Sequence, residues 1–250
     1  MRKSAIIIFM ISMIIGACSE NTKTPIVIGH RGAAGHAIEN SLPSIQKAID
    51  LGADAVEIDV FKISDGTIVV FHDNTLDRLT EHTGSIVNLN KSDLDTILLK
   101  GGIRIPTLEE VLDLIDKKIM LNIELKGVNT ASYVNDIINR YINEKGWNNS
   151  DFIISSFKWD ELTKLRELNP DIPIGILTSK DIDKAIAIAD RLNAIAVHAN
   201  FKLLDEINIK LIHSKNYQVF AWTANERTDI QALKDLNIDG IITDYPERAK

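Results

Sequence analysis

The residues of this chain best suited to chemistry stand in short polar motifs at the ends of apolar runs. They are three carboxylates, two histidines and two cations: Glu57, Asp59, Glu124, His30, His72, Arg31 and Lys126. Crowded carboxylates repel one another at neutral pH unless a cation neutralises them or their pKa values rise. Oxygen ligands favour a hard cation such as Mg²⁺ or Ca²⁺, and histidines can move protons near neutral pH. The set therefore predicts one metal-assisted site for a phosphate ester.

A predicted hairpin brings part of this set together. Asp65-Gly66 lies between two alternating apolar runs, which is a strong hairpin signal. If these are the two turn residues, His72 lies opposite Asp59, and directly paired β-carbons are about 4.5 to 5.5 Å apart. Glu57 projects to the same face as Asp59 because strand side chains alternate with a period of two. We therefore expect Glu57, Asp59 and His72 to converge.

Eight short β-branched runs alternate with amphipathic runs, without a break in composition. We predict strands at Ile26–His30, Ala55–Phe61, Ile119–Leu125, Phe152–Ser155, Ile174–Leu177, Ala194–His198, Gln218–Trp222 and Gly240–Thr243. Eight strands in a chain of this length favour an α/β fold, a (β/α)8 TIM barrel with a small hairpin insertion after the second strand. The alternative is an open, doubly wound sheet. The barrel would gather the polar motifs at its carboxyl-end face, where the active sites of such barrels lie.

Capping signals mark several of the helices between these strands. Asn40-Ser41 precedes a helical run to Asp50 that has a proline in its first turn. Thr107 opens a capping box with Glu110, which predicts a helix to about Asp116. Further helices are predicted at Trp159–Glu167, Asp181–Leu192, Leu204–His213 and Glu226–Leu236.

Composition and charge limit the class of protein. The 250 residues are 45% hydrophobic and 25% charged, the balance of an ordinary globular chain, and one large domain is the simplest organisation. A formal net charge of -7 and the lack of a basic stripe argue against binding to nucleic acid.

The first residues carry an export signal. Arg2-Lys3 precede an apolar run that ends at Ile15, which is too short to cross a bilayer, because a spanning helix needs roughly 20 apolar residues. The following Gly16-Ala17-Cys18 resembles the bacterial lipoprotein box. We expect a signal peptide at residues 1–17, a lipidated Cys18 in a tether at 18–24, and a barrel domain at 25–250. The protein would be anchored at the cell envelope, in the periplasm or on the cell surface. A cleaved signal with an incidental cysteine is the alternative.

An ordered set of motifs spans nearly all of the remaining chain. Its members are His30-Arg31-Gly32, Glu39-Asn40-Ser41, Glu57-x-Asp59, His72-Asp73, Leu76 to Thr80, Pro106 to Glu110, Asn122-x-Glu124-x-Lys126, Trp222-Thr223-x-Asn225 and Asp239 to Pro246. In this order and spacing the set resembles the glycerophosphodiester phosphodiesterases. The segment from Asn74 to Ile105 corresponds to a variable insertion in that family and is short here.

The resemblance implies a role for each candidate residue. Glu57, Asp59 and Glu124 would hold one divalent cation, Mg²⁺ or Ca²⁺. His30 and His72 would form the acid/base pair, while two cations, Arg31 and Lys126, would steady the phosphate. The implied reaction hydrolyses a glycerophosphodiester to glycerol 3-phosphate and an alcohol. The sequence does not decide whether a cyclic phosphate forms as an intermediate.

Other interpretations compete with these assignments. Trp222 at the end of a strand could stack on the substrate or belong to the core, and Glu124 could simply pair with Lys126. At the level of function, the rivals are a phospholipase D-like lyase that leaves a cyclic phosphate, a non-catalytic lipoprotein that binds phosphodiesters, and a barrel that acts on sugars.

Overall fold

The computed structural model describes residues 24–250. The expected signal peptide and Cys18 lie outside these residues, as does the expected tether up to Lys23. Along the described chain, the strands are β1 (Ile26–Gly29), β2 (Ala55–Lys62), β3 (Ile68–Val70), β4 (Leu98–Leu99), β5 (Ile103–Arg104), β6 (Met120–Leu125), β7 (Phe152–Ser156), β8 (Ile174–Thr178), β9 (Ala196–Asn200), β10 (Gln218–Trp222) and β11 (Gly240–Thr243). The helices are α1 (Leu42–Asp50), α2 (Leu108–Ile115), α3 (Ala131–Lys145), α4 (Trp159–Leu168), α5 (Ile182–Leu192), α6 (Glu206–Ser214), α7 (Arg227–Asp235) and α8 (Pro246–Ala249).

Eight parallel strands close into a barrel. The order around it is β1-β11-β10-β9-β8-β7-β6-β2, and the ring is completed by a direct pairing of β1 with β2. That last seam contains two residue pairs, Ile28 with Ala55 and Gly29 with Val56, whereas β2 and β6 pair over six. The (β/α)8 fold is therefore confirmed, and the open-sheet alternative is wrong, because an open sheet would leave β1 and β2 unpaired.

Apolar side chains fill the barrel and the layer between its strands and helices. The interior cluster is built from alternate residues of the strands: Ile28, Ala55, Ile153, Ala196, Phe220 and Ile242. The larger cluster buries the outward faces of the strands against the helices. Because parallel strands are covered on both faces, most of their side chains are apolar.

His198 is a fully buried histidine in the barrel interior. Its ring stacks on Phe220 with centroids 4.8 Å apart and fills the space beside Gly175, where a Cβ would come within 2.4 Å of Nε2. Neither ring nitrogen has a hydrogen-bond partner. Burial lowers the pKa of His198 to about 3, so the ring is neutral at physiological pH.

The insertion, residues 63–106, has a small core of its own. β3 pairs antiparallel with β2, β4 and β5 form a second hairpin, and the insertion's apolar side chains pack with Phe61 of β2. None of the helices in residues 24–250 has the length and apolar character needed to span a bilayer.

The predicted hairpin exists, but its register differs by one residue. Val60 pairs with Val70 and Lys62 with Ile68, so that Phe71, whose amide donates to Asp59, takes the place predicted for His72. The turn has three residues rather than two, because Gly66 adopts a φ of 94° in a longer loop of the kind that ends with a left-handed glycine. The expected pairing of His72 with Asp59 is wrong.

The helix α3 was not predicted. Its sequence carries Asn135, Asn139 and Asn143, which have low helix propensity, and its N-cap side chain makes no capping bond. Tertiary contacts compensate, since Val134, Ile138 and other residues of one face are buried.

Candidate active site

Three carboxylates meet at the mouth of the barrel. Glu57 and Asp59 project from β2, and Glu124 projects from β6 beside Asp59 in register. One ligand oxygen from each lies within 4.8 Å of the others. All three residues are at most 9% exposed. The sequence prediction that these carboxylates converge is confirmed by the geometry, while their role as metal ligands stays a prediction.

The electrostatics of this acidic triad favour a cation. Burial, together with the charges of Asp59 and Glu124, raises the pKa of Glu57 well above its usual value. Burial and Asp59 also raise the pKa of Glu124 to about 7, although Lys126 opposes that shift. Next to the triad, the buried side-chain oxygen of Asn122 has no hydrogen-bond partner. A donor set of carboxylate and carboxamide oxygens with excess negative charge fits a hard divalent cation.

Asn40 fixes one member of the triad. Its amide nitrogen donates to Asp59 Oδ2 at 2.8 Å, and its Oδ1 accepts from the Asp59 amide at 3.1 Å. Ser41, rather than Asn40, caps α1 by accepting from Ser44. Asn40 therefore orients Asp59, while the cap of the helix is provided by Ser41.

Arg31 and Lys126 provide positive charge on two sides of Asp59. Arg31 Nε lies 3.2 Å from Asp59 Oδ2, and its backbone amide donates to Glu57 Oε2 at 2.9 Å. Lys126 Nζ lies 3.2 Å from Glu124 Oε1 and 3.7 Å from Asp59 Oδ1. The pairing of Glu124 with Lys126 is thus present, within a larger cluster of charges.

His30 follows β1 and is oriented by a residue from the other end of the chain. Its Nδ1 lies 2.7 Å from Asp244 Oδ1, and Asn225 donates to the second oxygen of Asp244 at 2.6 Å. An acid bonded to Nδ1 leaves Nε2 as the nitrogen for proton transfer. The sequence motifs contained Asp244 and Asn225, but only the fold reveals that they hold His30.

His72 follows β3 and has a matching arrangement. Its Nδ1 lies 2.6 Å from Asp73 Oδ1, and Lys126 Nζ lies 3.1 Å from its Nε2. Burial lowers the pKa of His72, with a further contribution from Arg31 and Lys126, while Asp59 opposes the shift. The ring is therefore biased toward its neutral form, in which Nε2 accepts a proton.

An aromatic wall completes the site. Trp222 and Phe157 meet edge to face with centroids 5.5 Å apart, and the indole nitrogen of Trp222 donates to the backbone oxygen of His198 at 2.9 Å. Trp222 is partly buried against the barrel interior and also lines the pocket, so its stacking on the substrate stays a prediction.

The pocket has a volume of about 110 Å³ and brings the histidines, cations and aromatic rings to one opening. It is lined by His30, Arg31, Glu57, His72, Asn122, Glu124, Lys126, Ser155, Phe157, Leu177, Trp222, Thr223 and Ile242. A larger cavity of about 860 Å³ lies between the insertion, α2 and α3. Its arginines pair with neighbouring glutamates, as in Arg104 with Glu110 and Arg140 with Glu109. The smaller pocket therefore brings together the histidines, cations and carboxylates that could act on a substrate.

Fold and site together define a (β/α)8-barrel enzyme of the phosphodiesterase class. The family model of the glycerophosphoryl diester phosphodiesterases matches residues 30–248. The chain belongs to this family.

Individual relatives agree with this assignment. The chain is 33% identical to a glycerophosphodiester phosphodiesterase of Caldanaerobacter subterraneus subsp. tengcongensis over 89% of its own length and 95% of the relative. Its structure is similar to an Oleispira antarctica phosphodiesterase solved in complex with the product sn-glycerol-3-phosphate, with a TM-score of 0.84, 29% identity and coverage of 90% and 95% of the two chains. A Thermotoga maritima glycerophosphodiester phosphodiesterase gives a TM-score of 0.75 at 28% identity, covering 89% and 96%.

Proposed function

We propose that this protein hydrolyses glycerophosphodiesters to glycerol 3-phosphate and an alcohol, with one divalent cation as cofactor. The observation that carries the proposal is the buried acidic triad in a pocket that two acid-oriented histidines also line. The product named for the Oleispira antarctica relative, sn-glycerol-3-phosphate, supports this choice of substrate.

Glu57, Asp59 and Glu124 would hold the cation, for which we propose Mg²⁺ or Ca²⁺ because the ligand atoms are oxygens. When bound, the ion supplies Lewis-acid stabilisation of charge on the phosphoryl oxygens. Arg31 and Lys126 would add to this by holding the anionic diester, since both cations line the pocket beside the triad.

The two histidines would divide the movement of protons. His72, with Nδ1 bonded to Asp73 and a lowered pKa, is suited to accept a proton at Nε2 from the attacking oxygen. His30, with Nδ1 held by Asp244, would donate a proton to the leaving alcohol. Trp222 and Phe157 would cover the apolar side of the substrate and keep bulk water away from it.

Phosphorus NMR tests the proposed reaction. The chain from Thr24 onward contains every barrel strand, and with glycerophosphocholine and Mg²⁺ or Ca²⁺ it should release glycerol 3-phosphate. A chelator should stop the reaction, and re-addition of the ion should restore it. Product formation at an unchanged rate in the presence of the chelator would disprove the metal requirement. A cyclic phosphate as the final product would favour the lyase instead.

We also propose that the protein is exported and anchored to the cell envelope through lipidated Cys18. The support is the sequence itself, with its basic start, apolar run and lipoprotein-like box. Cys18→Ser should move the protein from the detergent phase to the aqueous phase in a phase-partition experiment, with Ser19→Ala as the matched control. A mutant that still partitions into detergent would contradict lipidation.

A further inference from the structure

A chain of ion pairs joins the two sides of the active site through the insertion. Its central member is Arg78, which the proposed reaction does not use. The guanidinium of Arg78 contacts both oxygens of Asp73 on one side and both oxygens of Glu39 on the other. Each of these carboxylates also holds a residue of the site, so that the chain of contacts runs from His72 to Arg31.

The contacts of Arg78 have the geometry of two forks. Nε donates to Asp73 Oδ2 at 2.6 Å and Nη2 to Asp73 Oδ1 at 3.1 Å. Nη1 and Nη2 donate to the two oxygens of Glu39, each at 2.7 Å. Two-point contacts between guanidinium and carboxylate fix orientation as well as distance. Arg78 therefore sets the positions of Asp73 and Glu39 relative to each other.

Asp73 and Glu39 each make a second contact, with a residue that lines the pocket. Asp73 Oδ1 lies 2.6 Å from His72 Nδ1, and Glu39 Oε1 accepts from Arg31 Nη1 at 2.7 Å. His72 and Arg31 both line the pocket, whereas the Arg78 side chain is 48% exposed on its outer side. Arg78 reaches the site only through its two carboxylate partners.

We infer that Arg78 is a positioning residue, which fixes the proton-carrying His72 and the phosphate-holding Arg31 relative to each other. The inference rests on the proposed function, because it concerns the geometry of that same site. Without Arg78, Asp73 would keep only His72 as its partner, and Glu39 would keep only Arg31. The side chains of His72 and Arg31 would then gain freedom to rotate.

The electrostatics are consistent with this arrangement. Hydrogen bonds from Arg78 and then His72 lower the pKa of Asp73 to about 2 despite partial burial. Burial acts to raise the pKa of Glu39, but its bonds to Arg78 and Arg31 outweigh burial and lower it. Both carboxylates are therefore ionised at neutral pH, as acceptors for the two site residues must be.

The competing possibility is that Arg78 forms a surface ion pair without a role in catalysis. Such pairs contribute little to stability. The insertion offers a matched control in Arg104, which is 53% exposed and pairs with Glu110 away from the pocket. Arg78→Ala and Arg104→Ala thus remove similar groups from the same part of the molecule.

Steady-state kinetics on the full chain with glycerophosphocholine tests the inference. Arg78→Ala should lower kcat, because His72 is released, and raise KM, because Arg31 is released. Loss of alignment through a supporting residue can cost about 10²-fold in kcat/KM. Arg78→Lys should recover little, since an ammonium cannot form the two forks. Arg104→Ala should keep both wild-type constants.

Two further measurements separate positioning from folding. Added guanidinium should restore part of the activity of Arg78→Ala and leave Arg104→Ala unchanged. In a double-mutant cycle, Asp73→Asn should cost much less in the Arg78→Ala background than in the wild type, because the two residues act in one chain of contacts.

The outcomes distinguish this inference from the proposed function. Wild-type protein that does not turn over glycerophosphodiesters would refute the function. Active wild-type protein together with a folded Arg78→Ala variant of unchanged kcat and KM would refute the inference alone. Should Arg78→Ala fail to fold, Arg78→Gln takes its place, and additive effects of Arg78→Gln and Asp73→Asn would likewise overturn it.

Discussion

At the scale of single residues, the site contains two histidines of similar construction. Each presents Nδ1 to an aspartate, Asp244 for His30 and Asp73 for His72. They differ in their second neighbours, because Lys126 lies beside Nε2 of His72. A cation at that position disfavours a second positive charge, so His72 is held in its neutral form, the form that can accept a proton.

Substitution of either histidine should abolish most of the activity. His30→Ala and His72→Ala should each lower kcat by about 10²- to 10⁴-fold, the usual contribution of general acid or base catalysis. The measurement is release of glycerol 3-phosphate at saturating substrate, with His82→Ala, a change at an exposed histidine of the insertion, as control. Near-normal rates in both site variants would remove the acid/base assignment.

The sequence predicted the residues of this site better than their contacts. The carboxylates lie on strands, and the histidines follow strands, whose ends must meet in a barrel, so their proximity could be inferred. The supports of His30 come from the far end of the chain: Asp244, which holds its Nδ1, lies 214 residues further along, and Asn225 donates to Asp244. Likewise, the bond between Asn40 and Asp59 depends on how the loop after β1 folds back, and local spacing carries no information on that path.

At the scale of elements, the turn between β2 and β3 illustrates the limit of local signals. Asp65-Gly66 indicated a hairpin correctly, but a two-residue and a three-residue turn differ by one position in register. The side chain of Asp65 stabilises the three-residue turn, since its carboxylate accepts hydrogen bonds from the amides of Thr67 and Lys91. The contact with Lys91 comes from the far side of the insertion, beyond the range of a hairpin rule.

The capping box of α2 was predicted from four residues and is present in the structure. Thr107 accepts from the Glu110 amide, and the Glu110 side chain accepts from the Thr107 amide. Thr107→Ala should lower the free energy of unfolding by about 1 kcal/mol, a typical value for loss of a helix N-cap. Urea unfolding monitored by circular dichroism measures this, and Thr107→Ser, which keeps the hydroxyl, should retain wild-type stability. Equal stability of the alanine variant would contradict the assigned role of the cap.

At the scale of the whole molecule, the eight strand positions were predicted because buried parallel strands are short, apolar and regularly spaced. The helix α3 escaped prediction because its stability comes from packing rather than from propensity. The buried state of His198 also depends on the closed barrel, because Gly175 on the neighbouring strand leaves the space that the ring fills.

The burial of His198 predicts acid sensitivity of the folded protein. Its pKa is about 3 when folded, against about 6.5 when unfolded, so below pH 6.5 only the unfolded chain binds this proton. Stability from this group is complete above pH 6.5 and is lost as the pH falls. At pH 4.5 the loss should reach about 3 kcal/mol.

Chemical denaturation between pH 7 and 4.5 tests this expectation. His198→Leu removes the titrating group, so its stability should fall less steeply with decreasing pH than that of the wild type. His82→Leu is the matched control at an exposed position. Parallel pH profiles for wild type and His198→Leu would show that the buried imidazole does not contribute.

The seam between β1 and β2 has a consequence for how the enzyme loses activity on heating. The ladder between these strands has two residue pairs, supplemented by the contacts of Arg31 with Glu57 and Asp59. His30 and Arg31 follow one strand, while Glu57 and Asp59 lie on the other. A brief separation at this seam would move His30 and Arg31 away from Glu57 and Asp59 while the remaining strands stay paired. Because proteins open locally at a lower free energy than they unfold globally, thermal inactivation should begin at this seam, below the melting temperature of the barrel.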